Sequence, residues 1–77
     1  MNMTAIEAIC YIMETNGVSL AELSEYADLG SKSNVHHLLN LRKDLKVGTF
    51  VKMLEALGYQ LVIQSEETED EIVIDYE

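Results

Sequence analysis

SLAELSEYADLGSKSNVHHLLN, residues 19–40, carries the pattern from which the expected architecture follows. Two short helical patterns are parted by Asp28-Leu29-Gly30-Ser31. Ser19 stands three residues ahead of Glu22, the spacing at which a serine hydroxyl and a glutamate carboxylate cap a helix start reciprocally. Leu20, Leu23 and Ala27 then recur as an inner stripe, with Tyr26 at its edge. Ser31 precedes Lys32-Ser33-Asn34, so small polar and basic side chains open the second pattern, which the spacing extends over residues 32–41. Its inward positions are Val35, Leu38 and Leu39, and Lys32, Ser33, His36, His37 and Asn40 lie outward or flanking.

Similar patterns flank this pair. Residues 4–16 form a first helix, opened by Thr4 with Glu7 in capping-box spacing and closed by Asn16-Gly17. Its expected inner stripe is Ile6, Ile9, Cys10 and Met13. Val18 is placed to staple onto Leu23. Beyond a basic loop at residues 42–46, a fourth helix covers residues 47–57, with Phe50, Val51, Leu54 and Leu57 repeating and Met53 beside them. Gly58 stops it, and the period then changes from about 3.6 to 2. Tyr59, Leu61 and Ile63 alternate with Gln60, Val62 and Gln64, the mark of a half-buried strand. After an acidic connector at residues 66–70, Ile72, Ile74 and Tyr76 alternate with Val73 and Asp75. The expected fold is therefore mainly α, with four helices in residues 1–58 and a short strand pair in residues 59–77. A lone two-stranded hairpin is weak, and its open edges invite a second chain. Tyr59, Leu61, Ile63, Ile72, Ile74 and Tyr76 are accordingly the expected dimerisation residues.

Length and composition narrow the function. A chain of 77 residues makes one small domain, in which nearly half the residues are apolar. The one cysteine, Cys10, excludes an internal disulfide framework and a four-cysteine zinc site, and fits a reducing cytoplasmic setting. No apolar run approaches the roughly 18 residues of a membrane span, and the N-terminus lacks the basic-then-apolar order of a signal peptide. No phosphate-cradling glycine loop, nucleophile with a base or paired metal motif is present, so neither an enzyme nor a cofactor is expected. Adjacent His36 and His37 point about 100° apart on a helix, with no carboxylate or cysteine at ligand spacing to complete a metal site.

Net charge is −9, which alone argues against nucleic acid. Its distribution argues otherwise. All the basic residues, Lys32, Arg42, Lys43, Lys46 and Lys52, lie in a window of 21 positions holding a single acid, Asp44. The last twelve residues hold seven acids and no base. Phosphate binding follows the local field rather than the total. The window permits DNA binding at one face, with modest affinity that needs two copies.

Two capped helices around a short turn make a helix-turn-helix signal, in which the second helix enters a DNA groove. Three stretches extend it. They are Gly17-Val18-Ser19 with Glu22-Leu23, residues 34–40 (NVHHLLN), and residues 49–58 (TFVKMLEALG) running on into Tyr59-Gln60-Leu61-Val62-Ile63. In these the chain resembles the lambda-repressor-like (Cro/C1, or XRE) helix-turn-helix family, and in its tail the small bacterial and phage members that end in strands. The resemblance covers roughly residues 5–58. It implies a compact helical domain that binds operator DNA, usually as a dimer. It also implies that Ser31 caps the recognition helix, that Lys32, Ser33 and His37 face base edges, and that Asn40, Arg42 and Lys43 lie near phosphates. The chain departs from the family in a turn one residue longer, an apolar Leu20 where a backbone-contacting polar residue is frequent, and strand in place of a fifth helix.

A lysine donates to guanine O6 and N7, a serine pairs either way, and helix N-terminal amides suit phosphate. Lys32, Ser33 and Asn34 are therefore candidate DNA contacts rather than ordinary solvated first-turn residues. His37 is a candidate base or phosphate contact, while His36 shares that face or flanks the core. Arg42 and Lys43 with Lys46 are candidate phosphate contacts. The expected function is a sequence-specific, repressor-like regulator binding double-stranded DNA as a homodimer. The alternative is an interaction module or antitoxin-like protein that keeps the scaffold, binds a protein such as a toxin, and has little DNA affinity.

Overall fold

In a computed structural model of the protein, the described residues are 2–30, 32–40 and 45–76, with the side chains of residues 32 and 33 outside the description. Among them the chain forms four helices, α1 (Ala5–Asn16), α2 (Leu20–Tyr26), α3 (Lys32–Asn40) and α4 (Val47–Ala56). Two strands follow, β1 (Leu61–Gln64) and β2 (Glu71–Ile74), paired antiparallel within the chain. The molecule is mainly α with a C-terminal strand pair.

Local chemistry sets the boundaries. Both expected capping boxes form. Thr4 Oγ1 accepts from the Glu7 N–H at 3.2 Å and Ser19 Oγ from the Glu22 N–H at 3.1 Å, while each glutamate carboxylate accepts from its cap residue's N–H at 3.1 Å. Three helices end alike. Gly17, Asp28 and Gly58 turn into the left-handed region at φ 66°, 53° and 82°. The next residue's N–H then folds back, Val18 to the Met13 carbonyl at 2.9 Å, Leu29 to Ser24 at 3.0 Å and Tyr59 to Leu54 at 2.8 Å. This 6→1 bond satisfies carbonyls the helix end would leave open, and it favours glycine at the turning residue. Aspartate tolerates that conformation better than most side chains, so Asp28 ends α2 without a glycine. Gly30, at φ 90°, then redirects the chain into α3.

The core is Ile9, Ile12, Met13, Leu23, Ala27, Val35, Leu39, Leu45, Met53 and Leu54, with Val51 also buried. α2 packs chiefly against α3, and α4 packs against both α1 and α2. Leu20, Leu29, Leu38, Phe50, Leu57 and Leu61 close the rim. Among the described residues, every buried side-chain nitrogen and oxygen has a hydrogen-bond partner.

Two expectations need correction. Cys10 is exposed, and Ile12 takes the place the stripe assigned to it. At 100° per residue, Ile9, Ile12 and Met13 centre the buried face one position away from Cys10. The strands are shorter than the alternation suggests, because Tyr59 is spent closing α4 and the chain leaves the ladder after Ile74.

The hairpin projects from the helical body more than it covers it. Of its strand residues only Leu61 packs against the core, while Ile63 and Ile72 remain 53% and 56% exposed. The radius of gyration, 12.9 Å, exceeds the about 11.5 Å usual for this chain length, and the molecule measures 41 × 24 × 22 Å. No helix is long and apolar enough to cross a membrane among the described residues.

Candidate nucleic-acid interface

α3 buries Val35 and Leu39, half-buries Leu38, and exposes Asn34, His36, His37 and Asn40. Its polar residues therefore share the face turned away from α2 and the core. His37 lies in the last turn, where a helix end attracts positive charge. Lys46, exposed, supplies the N-cap position of α4 without a side-chain cap bond.

Two polar side chains of this face are partly engaged locally. The Asn34 amide donates to the Leu29 carbonyl at 2.7 Å, tying the start of α3 to the turn before it. The Asn40 amide donates to the His36 carbonyl at 3.1 Å, one turn back. Both bonds hold the side-chain amides against nearby backbone. Ser31, Arg42 and Lys43, with the side chains of Lys32 and Ser33, lie outside the described residues. Among the described residues, no three His, Cys, Asp or Glu side chains gather as a metal site would require.

Lys52 takes a role that sequence reasoning missed. Its ammonium donates to the Asp28 carbonyl at 3.3 Å and stands 5.4 Å from the centre of the Tyr76 ring. The ring edge of Tyr76 lies 3.9 Å from where a Cβ on Gly48 would sit. One lysine on α4 thus ties the α2–α3 turn to the end of the chain. The residues are far apart in sequence, and nothing in their spacing foretells the contact. Asn16 is a second tie, its amide donating to the Ile12 carbonyl at 2.9 Å and to the Tyr59 hydroxyl at 3.4 Å.

Electrostatics near the helix starts are simple. Capping bonds from Thr4 and Ser19 hold the Glu7 and Glu22 carboxyls below their ordinary pKa, and the Tyr26 hydroxyl, donating to Glu22 at 3.2 Å, contributes at the second. Partial burial of the sulfur raises the Cys10 thiol, which works against a nucleophilic role even though the residue is exposed.

Neither a family model, nor a curated protein, nor a solved structure matches the chain.

Proposed function

We propose that the chain is a sequence-specific DNA-binding regulator of repressor type, built on a lambda-repressor-like helix-turn-helix and acting as a homodimer on a roughly palindromic operator. In this reading α2, the turn at residues 27–31 and α3 are the motif, and α3 is the recognition helix. One observation carries it. The polar face of α3, with Asn34, His36, His37 and Asn40 exposed, falls within the window that holds all the chain's basic residues. Groups able to read bases and charge able to attract phosphate are then neighbours along the chain, a combination that groove recognition uses. The exposed apolar residues of the hairpin support the dimer.

Binding by the chain to DNA selected from a random pool tests the reading. Lys32→Ala is expected to weaken binding to the selected sequence. Arg42→Ala with Lys43→Ala is expected to weaken binding to every sequence, because phosphate contacts carry no sequence information. Equal affinity of wild type and variants for selected DNA counts against it.

A second reading is favoured by Lys52, which is engaged within the molecule and so reduces the basic charge left for phosphate. With a net charge of −9, the same scaffold would then serve as a protein-binding module, for example toward a toxin. Absence of any electrophoretic shift at low salt, beside a stable complex with a protein, decides for it.

A further inference from the structure

The two outer edges of the hairpin differ in charge, and the difference selects one of them. Leu61 pairs with Ile74, Val62 with Val73, Ile63 with Ile72 and Gln64 with Glu71. The same register continues to Ser65, whose N–H donates to the Asp70 carbonyl at 3.2 Å. Backbone groups in an antiparallel ladder alternate between partner and outside. Ser65, Ile63 and Leu61 therefore point their N–H and C=O toward β2, and Val62 and Gln64 point theirs outward. On β2 the outward residues are Glu71 and Val73, with Asp75 next in the alternation.

We propose that the outer edge of β1 pairs antiparallel with β1 of a second copy, making a four-stranded sheet in the order β2-β1-β1-β2 about a two-fold axis at Val62. This deepens the homodimer reading above and rests on it. Residues 59–65 contain no charge, so the joined edges meet without repulsion. About the axis, Val62 faces Val62 of the second copy, Gln60 faces Gln64, and Leu61 faces Ile63. Outward backbone groups then exchange about six hydrogen bonds. The exposed Ile63 gains an apolar neighbour. The equivalent pairing of β2 about Val73 sets Glu71 opposite Asp75 twice, and like charges directly opposite are unfavourable. Such acids blunt an edge against pairing. A β1-to-β2 contact between copies is head-to-tail and leaves a free edge at each end, so it grows rather than closes.

Proline tests the edges separately, since the N–H groups of Val62 and Val73 both point out of the hairpin and neither bonds within it. In sedimentation of the full chain, wild type is expected to be a dimer. Val62→Pro should raise the dimer Kd by about tenfold or more, and Val73→Pro by less than about threefold. Because a proline variant risks misfolding, wild-type amide exchange is the companion measurement, with the Val62 and Gln64 N–H protected as concentration rises and Val73 not. Protection at Val73 instead, or a dimer untouched by Val62→Pro, overturns the edge assignment and leaves the dimer standing. A wild type that stays monomeric, even with its selected DNA, overturns both. Growth past two copies without a plateau overturns the β1 pairing in favour of the head-to-tail ladder.

Discussion

Ser19 and Thr4 show how much a single side chain fixes here. Each hydroxyl satisfies a helix-start N–H that would otherwise go unpaired, and the glutamate three residues on returns a bond to the cap. Ser19→Ala is expected to cost roughly 1 kcal/mol of stability in denaturant unfolding. The glutamates make the caps sensitive to acid. A carboxyl whose pKa is lowered by folding stabilises the fold above its unfolded value, and that contribution is lost as pH falls through the folded value. For Glu7 and Glu22 the loss starts as pH approaches the ordinary 4.5 and completes below it. Glu22→Gln keeps a capping-box partner but removes the titration, so its stability should vary less with pH between about 5 and 3 than that of wild type. A parallel pair of acid unfolding curves would contradict this. Gly30→Ala places a side chain on backbone at φ 90° and is expected to cost about 1–2 kcal/mol, again measured by unfolding.

At the scale of elements, α2 and α3 depend on a buried cluster centred on Leu23 and Val35, both 0% exposed. Leu23→Ala should cost about 2–5 kcal/mol, a large share of what a domain of this size possesses. A loss under about 1 kcal/mol in thermal unfolding would show that the pair packs less tightly than the burial implies. These elements are legible in the sequence because their signals are local. Capping boxes, αL-tolerant turn residues and a 3.6-residue repeat act within one or two turns, and they locate all four helices to within a residue or two. The stripe of α1 goes astray at Cys10 because a small apolar residue beside the stripe fits a buried and an exposed position about equally well. Lys52, Tyr76 and Asp28 cannot be read as a unit, since their contact arises from packing α4 under the turn and bringing the chain end back across it. The face of α3 is legible as a polar face. Its use is suggested only by resemblance and by the grouping of basic residues around it.

The whole molecule combines opposite charges at separate places. Bases gather in residues 32–52, and acids gather in the tail that carries the hairpin tip. An acidic tip repels DNA, so the hairpin is better suited to joining copies than to lying along phosphates. Removal of everything after Gly58 takes away Leu61 from the rim of the core and Tyr76 from Lys52. The truncated chain is expected to sediment as a monomer of lowered stability, and a truncated chain that remains dimeric would oppose the role given to the hairpin. The proposed function asks of the dimer that its two α3 helices meet successive major grooves about 34 Å apart. The salt dependence of binding should then be steep. Replacing Arg42 and Lys43 in both copies should lower the slope of log K against log salt by about 0.9 for each phosphate no longer neutralised. Selection of bound DNA from a random pool decides whether the chain reads a sequence. An enriched, inverted half-site repeat spaced by about one helical turn is the predicted result; failure of the folded chain to enrich any sequence, even at low salt, would contradict it.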